Sequence, residues 1–135
     1  LQAAGVAARC VDSLLAINPR ARIVVTGDMN EGCNGPSPSM LREAGLTCVT
    51  DTCRGRHGAR ASYCYQGRWQ NIDHVMLSEA LAPMLLHARI NDAPFLMEED
   101  RKYYGMKPRR TFYGSQYRSD GCSDHLPLVV TLSLP

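Results

Sequence analysis

The sequence predicts an α/β protein, and three observations predict it: a helical repeat at the start, a β-branched strand running into polar turn residues, and an alternating strand near the end. Ala4, Ala7, Ala8, Val11, Leu14 and Leu15 recur at intervals of three and four, the helical period, within Leu1 to Ile17. Arg22 to Thr26 is a short β-branched run that ends at Gly27 and leads into Asp28, Met29 and Asn30. Leu128 to Leu134 alternates enough to form a sheet strand packed on one face.

The elements follow in order. Asn18-Pro19 stops the first helix, because proline disfavours helical geometry in the residue before it. Ser37 offers an N-cap hydroxyl and Pro38 a first-turn proline, so a second helix is expected over Pro38 to Ala44, ending at Gly45. Strands are expected over Leu46 to Thr50, Ala61 to Tyr65 and Ile72 to Leu77, the last two joined through Gln66-Gly67, and another near Leu86 to Ile90. Asn91 to Ser119 is polar, aromatic and basic, broken by Pro94, Gly105, Pro108 and Gly114, and reads as a long irregular segment, which in a compact domain is either functional or disordered. A sheet with helices on one face needs a second sheet on the other, and these strands scarcely suffice for one. The chain is therefore expected to be part of something larger.

Composition narrows the classes. A length of 135 residues suits one domain, and 44% apolar with 21% charged residues excludes a disordered chain. A net charge of +2 is too small to imply nucleic acid or an anionic membrane as partner, although basic residues cluster in Arg54 to Arg68 and Lys102 to Arg118. No apolar run reaches the length of a membrane span. The chain opens in mid-helix without Met or a basic leader, so its natural start is expected upstream; location stays open, secreted or periplasmic included. Six cysteines show no C-x-x-C pair and are expected as buried or partly buried free thiols, with up to three disulfides the alternative in an exporting organism.

Three segments set acidic, amide and imidazole groups beside strands: Gly27-Asp28-Met29-Asn30, Asn71-Ile72-Asp73-His74, and Ser123-Asp124-His125-Leu126-Pro127. Converging at one sheet edge, they suit phosphoester hydrolysis. A hard cation takes one or two carboxylates and keeps several waters. A carboxylate can orient or deprotonate the attacking water, and an imidazolium stabilises charge growing on phosphoryl oxygens. A second carboxylate on the far imidazole nitrogen fixes its tautomer. Each segment alone is weak, since Gly, Asp and Asn are ordinary turn formers; the three together, in this order, are specific.

Gly27 to Asn30, Ile72-Asp73-His74-Val75 and Gly121 to Leu128 resemble the last three signature blocks of the endonuclease/exonuclease/phosphatase superfamily. Ser62 to Trp69 and Pro108 to Tyr113 resemble a bacterial branch of it. The resemblance covers essentially the whole chain. It implies half of a four-layer α/β/β/α sandwich of DNase I type, residues 1–135 being the C-terminal portion of a single domain whose N-terminal half is absent from this chain and would be its partner. It further implies that Asp28 activates the nucleophilic water, Asn30 bonds the phosphate or that water, Asp124 sits near a Mg²⁺ or Mn²⁺ ion, and His125 contacts the scissile phosphate with Asp73 orienting it. His74 is expected to pack or support. The family's early Asn, its metal-binding Glu and a further His have no counterpart here, so the isolated chain is expected to be inactive and to expose an apolar sheet face.

Arg109, Arg110 and Tyr113, in the basic aromatic stretch from Tyr103 to Arg118, are the best candidates for substrate contact, through arginine–phosphate pairing and ring stacking. Tyr63 and Trp69 are expected in the core. The low net charge favours a small-molecule or lipid phosphoester over a nucleic acid. A nuclease, and a non-catalytic binding module of the same fold, stand as the alternatives.

Overall fold

The computed structural model describes residues 1–135. Helix α1 (Gln2–Ile17) stops where expected, with Asn18 in extended geometry at φ −141°. Val11 is its buried residue and Ala7, Ala8 and Leu15 flank it, while Leu14 turns to solvent. Strand β1 (Val24–Asp28) carries the chain to the first polar segment. Helix α2 (Pro36–Glu43) begins two residues earlier than the sequence suggested, with Gly35 as N-cap and Pro36 at its first turn. Ser37 lies inside the helix instead of capping it: its N–H and its hydroxyl donate to the Glu31 carboxylate at 3.2 and 2.5 Å. That carboxylate takes the cap's place at the positive end of the helix.

Strands β2 (Leu46–Cys48) and β5 (Asp73–Ser78) complete a three-stranded antiparallel sheet in the order β1-β5-β2. Between β2 and β5 in sequence lie β3 (Tyr63–Tyr65) and β4 (Arg68–Gln70). Gln66-Gly67 joins β3 to β4, not to β5: with φ of 49° and 76° these two residues make the left-handed pair that a two-residue hairpin requires. Strand β6 (Leu85–Ile90) pairs with β11 (Leu128–Leu132) as a second antiparallel sheet.

The period of two along β5 sets the layers. Met76 points to the helices and packs with Val11, Leu41, Ala44 and Leu46. Val75 and Leu77 point the other way and pack with Leu81 against Leu128, Val130 and Leu132. The order helices, sheet, second sheet is one side of an α/β/β/α sandwich. The second sheet that the sequence scarcely accommodated is present as two strands. Met76 is fully buried, so Met76→Ala is expected to lower unfolding stability by about 2–5 kcal/mol, read from the denaturant midpoint at unchanged slope.

The segment expected to be irregular holds two small hairpins, β7 (Met97–Glu99) with β8 (Met106–Pro108) and β9 (Phe112–Tyr113) with β10 (Gln116–Tyr117). Their strands are too short to show a period. Side-chain ties hold them: Asp100 accepts the N–H groups of Lys102 and Tyr103, each at 3.0 Å, and Glu98 binds Arg118 at 2.8 Å and the Tyr113 hydroxyl. Asp92, 2% exposed, accepts the N–H groups of Arg56, His57 and Ala59 at 2.8, 2.6 and 3.0 Å, closing the loop before β3. Cys10 and Cys122 are exposed, against the expectation of buried thiols, and all six cysteines are free. No helix is long and apolar enough to cross a membrane.

Candidate functional site

The site forms where β1 ends and β5 begins. Antiparallel register sets Asp28 directly opposite Asp73. Past Asp28 the chain turns back on itself: the Asn30 N–H donates to Asp28 Oδ1 at 2.8 Å, and Asn30 takes φ 54°, which asparagine tolerates better than most residues. His125 arrives from the far end of the chain just before β11, fixed by a backbone bridge to Tyr63 and by the Leu126 N–H donating to Ser62 O at 2.7 Å.

His125 Nδ1 lies 2.7 Å from Asp73 Oδ2, and the Ser62 hydroxyl donates to the same oxygen at 2.5 Å. A carboxylate oxygen only accepts, so Nδ1 carries the hydrogen and Nε2 faces the site. Nε2 stands 4.0 Å from Asp28 Oδ2. An oxygen atom about 2.8 Å from both atoms fits between them, as a water or a phosphoryl oxygen would. The Tyr63 ring lies against the imidazole, centroids 4.8 Å apart and tilted by 33°, so Tyr63 belongs to the site wall rather than to the core. Trp69 packs beside the cluster of Cys53, Ile90, Met97 and Leu126.

Asp28, Asp73 and His125 bring ligand atoms within 4.8 Å of one another, but Nδ1 and Asp73 are committed to their mutual bond. They form a hydrogen-bonded relay, not a cage for a hard cation, which prefers oxygen. Asp124 is the carboxylate that suits such an ion: its side chain is 45% exposed and only its Oδ2 is engaged, with Arg110 Nη2 at 3.2 Å. Mg²⁺ or Mn²⁺ takes one or two carboxylates beside waters and substrate oxygens, and Asp124 can supply one of those carboxylates. His74 is fully buried behind this edge, one residue from Asp73.

The three expected substrate contacts separate. Arg110 and Tyr113 line a cleft of about 300 Å³ with Tyr65, Tyr103, Lys107 and Asp124. Arg109 turns away: its guanidinium donates to Met97 O at 3.0 Å and lies 3.8 Å from Asp120. The reason is the strand before it. Pro108 is buried in β8, so adjacent residues leave that strand on opposite sides, and Arg110 alone reaches Asp124. A Cβ on Gly121 would overlap the backbone of Arg110 and Thr111, so glycine there is what lets the two segments meet. Lys107, Arg110 and Arg118 surround the Tyr113 ring at 4.9, 5.6 and 5.3 Å. The sequence places Tyr63 in the core and assigns Ser62 no role; the one signal for either lies in the Ser62 to Trp69 block.

Antiparallel sheets packed face to face, with an acidic and imidazole site at one end, define a protein of the DNase I-like sandwich class. The chain belongs to the endonuclease/exonuclease/phosphatase family, whose model matches residues 1–134. It is similar to the crystal structure of an endonuclease/exonuclease/phosphatase family protein from Bacteroides thetaiotaomicron, at TM-score 0.55 and 17% identity, covering 96% of this chain and 44% of that one. The chain thus spans under half the length of that solved structure. No curated protein matches it.

Proposed function

We propose that the chain carries part of the site of a divalent-metal-dependent phosphoester hydrolase. The single observation behind this reading is the relay Asp73–His125 facing Asp28 across 4.0 Å. Asp28 orients the attacking water and takes its proton, and Asn30, exposed two residues on, bonds the phosphate or that water. As an imidazolium, with hydrogen on both ring nitrogens, His125 donates from Nε2 to the phosphate as negative charge grows on its oxygens, and Asp73 with Ser62 holds the ring in the orientation that allows it. A bound Mg²⁺ or Mn²⁺ supplies Lewis-acid polarisation of a phosphoryl oxygen, and Asp124 would hold it. Arg110 and Tyr113 contact the rest of the substrate; Arg109 is withdrawn from that role.

The site is completed by the remaining part of the same domain. Two features support this: β1 has strand β5 on one side only, and Val24 on it is 50% exposed, as are Val6 and Leu14 of α1 to a similar degree at 52% and 49%. The cleft suits a small or lipid headgroup better than a duplex, which agrees with the net charge of +2.

The test assays the natural protein containing this chain on a phosphodiester and a phosphomonoester, with Mg²⁺, with Mn²⁺ and with chelator. Hydrolysis is expected with metal and is expected to vanish with chelator. Hydrolysis that persists in chelator would overturn the metal dependence. A folded, metal-replete protein that cleaves neither ester would turn the reading to a binding module. Strong salt dependence with DNA or RNA as the preferred substrate would turn it to a nuclease.

A further inference from the structure

The basic cluster from Arg54 to Arg68 takes no part in the hydrolytic reading. Arg54, Arg60 and Arg68 meet around a hollow of about 520 Å³, with Trp69 and Asn71 among its other walls and no carboxylate in its lining. The hollow shares no residue with the cleft that holds Arg110 and Tyr113. The two basic clusters differ in charge balance. Lys107, Arg109, Arg110 and Arg118 each face a carboxylate, at 3.9, 3.8, 3.2 and 2.8 Å. No ion pair of the molecule includes Arg54, Arg60 or Arg68.

The fold holds these arginines where they are. Asp92 accepts the N–H groups of Arg56, His57 and Ala59, and the Gly55 N–H donates to Ala59 O at 2.9 Å, so the loop closes on itself. Arg54 Nη1 reaches across the neck of that loop to Arg60 O at 2.6 Å and to Cys53 O at 3.1 Å, which leaves Nε and Nη2 unbonded within the chain. Arg68 comes from a different element, β4, where it pairs with Tyr65 across the two-residue turn. Asn71 is fixed by its Nδ2, which donates to Asp51 O at 2.7 Å. Guanidinium groups stay charged at any ordinary pH, so three around one hollow repel each other with nothing in the chain to offset it. Arginines that serve only solubility gain nothing from being gathered in a concavity.

We propose that the hollow of Arg54, Arg60 and Arg68 is a binding site for the diphosphate group of a soluble ligand. Arginine forks match phosphoryl oxygens two bonds at a time. A carboxylate offers two oxygens and a single charge, which leaves guanidinium donors unserved. One phosphate monoester carries about −1.5 to −2 at neutral pH, so two linked phosphates match three guanidiniums better than one does. Trp69 is half-buried in the same wall and is the one tryptophan of the sequence, so it reports occupancy. The site is separate from the hydrolytic centre and does not rest on its activity.

The experiment titrates the natural protein containing this chain with inorganic pyrophosphate at fixed ionic strength, in EDTA to withhold the metal that hydrolysis needs. Binding is read by calorimetry and by tryptophan fluorescence, and the fluorescence change is expected to disappear in Trp69→Phe. Arg60→Gln and Arg68→Gln are each expected to weaken binding about tenfold or more, and Arg68→Lys by less, since lysine keeps the charge but not the fork. Unchanged denaturant midpoints are expected for both glutamine variants, because neither guanidinium is paired within the chain. Inorganic phosphate is expected to bind more weakly than pyrophosphate. Affinity within about twofold of wild type in both glutamine variants would overturn the proposal. Loss of binding in Arg110→Gln alone would overturn it too, by putting the anion in the cleft. Phosphate binding as tightly as pyrophosphate would remove diphosphate as the ligand class. None of these readouts depends on phosphoester hydrolysis.

Discussion

His125→Ala is expected to lower kcat for phosphoester hydrolysis by about 10³-fold or more, roughly 4 kcal/mol of lost transition-state stabilisation. The size follows from position. The imidazole is the group that joins the Asp73 and Ser62 relay to the space facing Asp28, so its loss removes the donor and leaves the relay aimed at nothing. KM is expected to change far less, because Arg110, Tyr113 and the cleft are untouched. Asp73→Asn is the discriminating companion. It keeps the shape, but a neutral amide facing Nδ1 no longer stabilises the imidazolium whose Nε2–H faces substrate. Its loss is expected to lie between wild type and His125→Ala. The denaturant midpoint of each variant checks that the fold survives, since the Tyr63 ring also rests on His125. A kcat within tenfold of wild type in folded His125→Ala would end the assigned role.

What the sequence made legible was whatever is local. Asp28 and Asn30 could be read because a β-branched strand runs into turn-forming residues, and the structure keeps both the strand end and the turn. The meeting of Asp73 with His125 joins positions 52 residues apart, and no periodicity reports such a distance; only the resemblance of whole blocks did. Ser37 looks like a cap in sequence because two prolines compete for the first helical turn, and a carboxylate six residues back settles it for Pro36. Gln66-Gly67 joins β3 to β4, which the sequence does not reveal because the three residues of β4 are too few to show alternation. Arg109 and Arg110 look equivalent in sequence, and only the strand before them sends one to Asp124 and the other to Met97 O. Asp92 had no sequence signal: its partners are backbone N–H groups more than thirty residues away.

That residue gives the largest expected loss of stability. Asp92→Ala is expected to destabilise the fold by about 3–5 kcal/mol, lowering the unfolding midpoint by roughly 10–20 °C, because three backbone donors lose their acceptor in a buried position. Water cannot easily replace the carboxylate, which is 2% exposed and fits so closely that a Cβ on Gly55 would overlap it. The pH dependence follows from the same contacts. Burial raises the Asp92 carboxyl, but the N–H groups of Ala59, His57 and Arg56 outweigh it and hold the carboxyl below its ordinary value of 3.8. A carboxyl depressed in the folded state binds its proton more readily when unfolded, so its contribution is fully present above about pH 4 and is lost as pH falls through the depressed value. Wild type and Asp92→Ala are therefore expected to differ most at neutral pH and to converge below pH ~4. Paired thermal melts across that range read it directly, and a gap that stays constant into acid would mean that packing, not the charged clasp, holds the loop.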